Sequence, residues 1–153
     1  MVTSRTDKLA QALWYIAPGQ AEIRQEALAP VGQGEARVRA LFGALSRGTE
    51  ALVFAGRVPE SEHQRMRAPL MGGNFPFPVK YGYATVGEIE EGPSDLRGRN
   101  VFALHPHQSL FNIAAKLAVA LPDNIPPQRA VLAANMETAL NAVWDASVGP
   151  ADR

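Results

Sequence analysis

The spacing of the apolar residues changes near residue 126, and this change limits the chain to a mostly β fold that ends in a helix. Before that point, apolar and polar residues alternate in short runs bounded by glycine or proline, as in Glu35 to Phe42. A period of two is typical of half-buried strands. After Pro126 or Pro127, which suit a helix start, apolar residues recur at helical spacing, namely Leu132, Met136, Leu140, Val143 and Trp144.

The individual runs predict where the elements lie. Ala12 to Ile16 and Ala21 to Glu26 flank Pro18-Gly19, and this arrangement predicts a hairpin. In the strand over Glu35 to Phe42, the even-numbered residues are expected to face the core. Further predictions are strands over Gly82 to Glu90, Asn100 to Leu104 and Phe111 to Leu121, a helix over Gly48 to Phe54 with Thr49 as its N-cap, and a long loop over Val58 to Lys80.

Composition excludes several classes of protein. The 153 residues suit one domain with a real core, and 46% are hydrophobic. Glycine and proline number 13 and 12, an excess that indicates many turns. Lysine plus arginine and aspartate plus glutamate number 15 each, so nucleic acid is a poor partner. The sequence has no cysteine, which excludes disulfides, thiolate metal sites and thiol nucleophiles.

No targeting signal is expected. No apolar run approaches the ~18 residues that span a bilayer, and Ala12 to Ala17 is too short for a secretory signal. We therefore expect a cytoplasmic protein with no membrane partner.

Few residues carry chemistry by spacing alone. His105-Pro106-His107 supplies at most two ligands, whereas zinc needs three or four. The two histidines are either ordinary loop residues or groups that donate protons and bind substrate. Tyr81 and Tyr83 lie beside other aromatic residues, which either pack in the core or contact a ligand. No phosphate-binding glycine fingerprint or nucleophile elbow is present.

Six stretches, in the right order, resemble the medium-chain dehydrogenase/reductase family. The matches cover about residues 10 to 149, and the Ser46 and Ala134 regions most resemble the branch that includes bacteriochlorophyllide a dehydrogenase. The matching stretches are Gly34 to Ala40, Ser46 to Gly56, Gly82 to Ile89, Gly98 to Ala103, Val119 to Pro126 and Ala134 to Ala146.

The resemblance implies a particular domain organisation. Residues 8–125 are expected to form a GroES-like β-barrel, and residues 126–149 a connecting helical segment. The family's next part, a Rossmann domain that binds the cofactor pyrophosphate, is absent from this chain. We expect the chain to be the first half of a longer enzyme; the alternative is a domain that stands alone.

The chain departs from the zinc-dependent members of that family. Their cysteine ligand falls on Arg47, or on Ser46 if one residue is inserted. Their histidine ligand falls on Tyr83, and the third ligand falls at about Ala134. None of these side chains binds zinc well, so no metal site is expected.

The resemblance also implies a reaction. The whole enzyme would move a hydride between NAD(P)H and a carbonyl or conjugated double bond of a small-molecule substrate. The chain alone is expected to be inactive. Expected site residues are Tyr83, His105 and His107 for proton transfer, Ser46, Arg47 and Thr49 for substrate or cofactor, and Glu137 and Thr138 near the nicotinamide.

Two other functions stay open. In one, the barrel is a non-enzymatic binding or assembly module. In the other, it binds a small ligand through its aromatic residues from Phe75 to Tyr83. We expect the C-terminal helix to pack on the missing Rossmann domain, or the chain to form a homo-oligomer. From its spacing on the predicted helix alone, Glu137 has a second interpretation, as part of a solvated helix face.

Overall fold

A computed structural model describes residues 8–147 and Gly149. The chain is mostly β with a C-terminal helix, which confirms the predicted fold class. Its strands are β1 (Lys8–Ala17), β2 (Gln20–Leu28), β3 (Glu35–Gly43), β4 (Gly72–Gly73), β5 (Val79–Lys80), β6 (Thr85–Glu91), β7 (Asn100–Ala103), β8 (Leu110–Ala114) and β9 (Val119–Ala120). Its α-helices are α1 (Thr49–Phe54), α2 (Pro127–Ala130) and α3 (Ala133–Asp145).

The strands form two antiparallel sheets. One has the order β2-β1-β5-β4 and the other β8-β3-β6-β7-β9. β1 and β2 form the predicted hairpin, with Gly19 at positive φ in the turn. A bridge between Ala12 and Gln108 brings the segment before β8 against β1. This contact places residues 105–108 next to the first sheet.

The alternation in β3 holds for only part of the strand. Ala36 and Val38 are fully buried in a cluster with Phe111 and Ile113, whereas Phe42 is exposed. The pairing of β3 with β6 shifts between Ala40 and Phe42. The extra residue interrupts the alternation, and both Leu41 and Phe42 are exposed. The prediction that Phe42 faces the core is therefore wrong.

Arg37 is buried although its parity predicted a solvent-facing side chain. Its Nη2 donates to the Ala29 carbonyl at 2.6 Å, and its Nε donates to Asn112 Oδ1 at 3.0 Å. Burial of a guanidinium is tolerated when its donors find acceptors. Sequence periodicity does not report such partners.

Several elements differ from the predictions. The predicted long loop over Val58 to Lys80 contains the two short strands β4 and β5. β6 begins at Thr85 rather than Gly82, because Gly82 has a φ of 122° that a strand does not adopt. The predicted strand over Phe111 to Leu121 is two strands, β8 and β9, separated by a 3₁₀ turn over Ala115–Leu117. The N-cap of α1 is Gly48, and Thr49 is the first helical residue.

The C-terminal helical segment is broken into two helices. Ala130 and Val131 pack against Val86 and Phe102 in a second core cluster, and α3 begins two residues later. No residue of α3 is buried, and its apolar side chains are exposed. The predicted segment 126–149 includes Val148, and its predicted stop includes Pro150; both residues lie outside the described part of the chain.

Within residues 8–147, no helix combines the length and the apolar character that a bilayer crossing requires.

Candidate functional site

A buried carboxylate, Glu50, collects hydrogen bonds from three separate parts of the chain. Its side chain is only 3% exposed. Its Oε2 accepts from the Tyr15 hydroxyl at 3.1 Å and lies 2.8 Å from His107 Nε2. Its Oε1 accepts from the Ser46 backbone N–H at 2.8 Å. We call Tyr15, Ser46, Glu50 and His107 the Glu50 cluster.

The first turn of α1 positions the carboxylate. The Glu50 backbone N–H donates to the Ser46 carbonyl at 3.1 Å, while the Glu50 side chain accepts from the Ser46 N–H. This reciprocal pair resembles half of a capping box, in which a glutamate side chain satisfies an unpaired N–H near a helix start. The sequence Ser-Arg-Gly-Thr-Glu therefore folds locally so that its acid turns inward.

Two glycines make room for the His107 ring. A Cβ on Gly82 would lie 2.7 Å from His107 Nε2, and a Cβ on Gly43 would lie 3.2 Å from His107 Nδ1. The His107 backbone is held on both sides, because its N–H donates to the Tyr81 carbonyl and its carbonyl accepts from the Leu13 N–H. The imidazole is thus fixed against Glu50 by close backbone approach.

Tyr81 and Tyr83 pack in one core cluster with Tyr15, which is itself a member of the Glu50 cluster. Burial and the neighbouring Glu50 carboxylate raise the pKa of Tyr15 well above its usual value. Burial also raises the pKa of Tyr81 to about 12, and the Tyr81 hydroxyl donates to the Met66 carbonyl at 2.7 Å. Tyr83 is half-buried and meets Tyr81 edge to face, with ring centroids 6.3 Å apart.

The aromatic residues of the long loop pack in the core. Tyr15, Val53, Val79 and Tyr81 form a buried cluster, and Phe75, Phe77 and Tyr83 pack against it. Core packing, one of the two interpretations of this aromatic stretch, is therefore present. Contact with a ligand stays a prediction for Tyr83.

His105 lies apart from the Glu50 cluster. Its ring stacks on Phe111 with centroids 3.7 Å apart, and its Nδ1 lies 2.8 Å from the Pro106 carbonyl. Burial lowers the pKa of His105 to about 4. The structure therefore separates the two histidines that the sequence places two residues apart. A catalytic role for His105 stays a prediction.

The buried His105 ring leads to a pH-dependent stability. Between its unfolded pKa of 6.5 and its folded pKa of about 4, the unfolded chain binds a proton that the folded chain does not. Its contribution to the free energy of unfolding is therefore complete above pH 6.5 and decreases as pH falls towards about 4. We expect urea unfolding to show a drop between pH 7 and pH 4.5 that is smaller by about 2 kcal/mol in His105→Phe. An equal drop in both proteins would contradict this assignment.

A cavity of about 380 Å³ lies beside α1 and the hairpin. We call it the α1 cavity. Its lining residues are Leu13, Tyr15, Ala21, Leu45, Ser46, Arg47, Glu50, Ala51 and Phe54. The predicted binding residues Ser46 and Arg47 therefore share this cavity with two members of the Glu50 cluster. Thr49 is half-buried beside them on α1 but does not line it.

Glu137 and Thr138 lie elsewhere. Glu137 lines a separate, larger cavity of about 590 Å³ that includes Leu70, Leu104 and Leu117. The Thr138 hydroxyl donates to the Ala134 carbonyl within α3 at 3.1 Å. The two cavities have no lining residue in common. Both side chains are exposed, and their contact with a nicotinamide stays a prediction.

The donor groups present do not fit a zinc ion. Among residues 8–147 and Gly149, no three His, Cys, Asp or Glu side chains lie close enough to hold a metal. The Glu50 cluster contains one carboxylate and one imidazole, and zinc sites use at least three protein ligands. The predicted independence of zinc stays a prediction about the reaction.

Sequence reasoning missed Glu50 and Tyr15. Glu50 follows Thr49 directly, and it is the only acid in α1, so its position in the motif was an available signal. Tyr15 lies in an apolar hairpin strand, where no sequence signal distinguishes it from a core residue. Its role depends on a contact across 35 residues of chain.

Comparison with known proteins defines the fold. The sequence matches no protein-family model and no curated protein. Among solved structures, the quinone oxidoreductase of Coxiella burnetii is similar over 95% of this chain and 47% of its own, with 16% identity and a TM-score of 0.68. The quinone oxidoreductase of Thermus thermophilus, solved also with NADPH, is similar over 92% of this chain and 42% of its own, with 19% identity and a TM-score of 0.64.

A third neighbour is an alcohol dehydrogenase. The short chain alcohol dehydrogenase of E. coli CFT073, complexed with NADH, is similar over 90% of this chain and 45% of its own, with 16% identity and a TM-score of 0.66. The chain spans less than half the length of each of these three neighbours. At these identities the likeness shows a shared fold.

Proposed function

We propose that this chain is the substrate-binding half of an NAD(P)-dependent oxidoreductase that works without zinc. The reaction is hydride transfer to or from a carbonyl or a conjugated double bond. The observation that carries the proposal is the buried 2.8 Å contact between His107 and Glu50, together with the position of Glu50 in the lining of the α1 cavity. The fold shared with structures solved with NADPH and NADH supports the choice of cofactor.

We propose the following roles for the cofactor and for the residues of this chain. A bound nicotinamide cofactor supplies or accepts the hydride. Ser46 and Arg47 fit contact with substrate or cofactor because they line the α1 cavity. Thr49, Glu137 and Thr138 remain proposed cofactor contacts from the family resemblance.

The oxygen of a carbonyl needs a proton when its carbon accepts hydride. Where zinc does not polarise that oxygen, a side chain must supply the proton. The Glu50 carboxylate and the His107 imidazole lie within hydrogen-bond distance in a buried setting, which fits a proposed role in proton transfer. Tyr83 is the proposed donor to the substrate, and Glu50 positions the His107 ring.

Enzyme assays test this proposal. The polypeptide isolated from its source is assayed for NAD(P)H oxidation with EDTA present, against quinones, aldehydes and ketones. We expect turnover that the chelator does not affect and that falls about 10²–10⁴-fold in His107→Gln. His63→Gln, which changes a histidine outside the Glu50 cluster, is the matched control.

Three outcomes would count against the proposal. Absence of turnover with every acceptor would overturn the oxidoreductase function, and loss of turnover in EDTA would overturn its independence of zinc. Full turnover in Tyr83→Phe, which keeps the ring and removes the hydroxyl, would show that Tyr83 is not the proton donor.

The exposed face of α3 also favours a binding function. Leu132, Met136, Leu140, Val143 and Trp144 are exposed there, and Trp144 is 66% exposed. We propose that a nucleotide-binding domain covers this face, because more than half of each neighbouring structure lies outside the matched fold. The second candidate function is a non-enzymatic module whose α3 binds another copy or another protein.

The mass of the native polypeptide distinguishes these functions. We expect about double the 16.5 kDa of this chain, since a further domain has ~150 residues. A native mass of 16.5 kDa would instead favour the module. Sedimentation of the native protein would then show whether copies associate.

A further inference from the structure

We propose that the substrate is an apolar carbonyl compound that carries a carboxylate, and that Arg47 binds this carboxylate at the mouth of the α1 cavity. This inference rests on the proposed function and specifies its substrate class.

The size and lining of the α1 cavity favour a ligand with an apolar body. Its volume of about 380 Å³ lies in the range of small-molecule sites. Leu13, Leu45, Ala51 and Phe54 form its wall. Leu45 is 68% exposed, which is a high value for a leucine at a cavity. An apolar ligand would remove this surface from water.

Arg47 supplies an anion-binding group to that wall. Its side chain is exposed, and no carboxylate within the described residues forms an ion pair with it. A guanidinium presents a planar pair of donors that matches a carboxylate. Arg47 is also the only cation that lines the α1 cavity among the residues that the structure describes.

The second charged group of the cavity orients the ligand. Glu50 is buried, and its oxygens already accept hydrogen bonds from the Glu50 cluster. Its negative charge repels a carboxylate and favours a neutral group. The carboxylate of the ligand therefore lies outward at Arg47, and its apolar body lies inward along Leu13 and Phe54.

The anion has two possible sources. One is the substrate, and the other is a phosphate of the cofactor. The apolar wall favours the substrate, because a phosphate group itself makes no favourable contact with apolar side chains. Binding measurements with both kinds of ligand separate the two sources.

The test measures binding, so it does not depend on turnover. Calorimetry on the full chain compares 4-oxo-4-phenylbutanoate with its primary amide, which has the same apolar body and no charge. We expect the carboxylate to bind at least about tenfold more tightly, a difference of about 1.4 kcal/mol. Arg47→Gln should remove this difference, and Arg57→Gln, an exposed arginine outside the cavity, should preserve it.

Several results would overturn the inference. These are no binding of either probe, equal affinity of the two probes for the unchanged chain, or a preference that survives in Arg47→Gln. A fourth is an Arg47-dependent affinity for NADPH with no such dependence for the carboxylate, which would assign Arg47 to the cofactor phosphate. Turnover that ignores Arg47 would overturn the inference and leave the proposed function standing. An Arg47-dependent preference for the carboxylate without turnover of any acceptor would support the binding role of Arg47 and overturn the proposed function.

Discussion

We expect Gly82→Ala to lower the free energy of unfolding by about 2–5 kcal/mol and to break the contact between His107 and Glu50. Two costs add. A side chain at positive φ costs about 1–2 kcal/mol, and Gly82 has a φ of 122°. The new Cβ would also lie 2.7 Å from His107 Nε2, and overpacking of this kind typically costs about 1–3 kcal/mol. Urea unfolding followed by circular dichroism measures the sum.

A second glycine separates the two costs. Gly98 also has a positive φ, 75°, but a Cβ there would meet nothing within 4 Å. Gly98→Ala should therefore cost only about 1–2 kcal/mol. Adding His107→Ala to Gly82→Ala should recover part of the loss, because it removes the clashing ring. Equal losses in the two glycine variants would contradict this account of His107.

Removal of the buried carboxylate should also have a large effect. We expect Glu50→Ala to lower the free energy of unfolding by about 2–4 kcal/mol, because it leaves three donors without their acceptor. These are the Tyr15 hydroxyl, the His107 Nε2 and the Ser46 N–H. Thermal and urea unfolding at pH 7 measure the loss.

Two variants control for this change. Glu50→Gln keeps the size of the side chain and one acceptor oxygen, so its loss should be smaller. Glu60→Ala removes an exposed glutamate, and such surface changes usually stay within about 0.5 kcal/mol. If Glu50→Ala unfolds like Glu60→Ala, the hydrogen bonds of the cluster contribute nothing to stability.

Elements fixed by local signals were predictable. Pro18-Gly19 marks the turn of the hairpin, and the alternation around Ala36 and Val38 marks β3. The short helix after Gly48 was also found, although its cap was placed one residue late. Predictions failed where the backbone departs from a simple period, as at the pairing shift next to Phe42.

The candidate site was only partly predictable, because its contacts join distant residues. His105 and His107 look alike in the sequence, yet one stacks on Phe111 and the other contacts Glu50. The topology of the sheets decides which neighbour each ring meets. Motif similarity predicted Ser46 and Arg47 as binding residues, and both line the α1 cavity. Their role in binding stays a prediction.

The members of the Glu50 cluster lie far apart in the sequence, and this separation has a consequence for the kinetics of folding. Glu50 contacts Tyr15 across 35 residues and His107 across 57 residues. Such long loops are costly to close before the sheets exist. We therefore expect the cluster to form after the main barrier to folding, so that Glu50→Gln speeds unfolding and leaves the folding rate nearly unchanged. The proposed proton-handling groups then come together only in the last stage of chain assembly, and a partly folded chain holds no competent site.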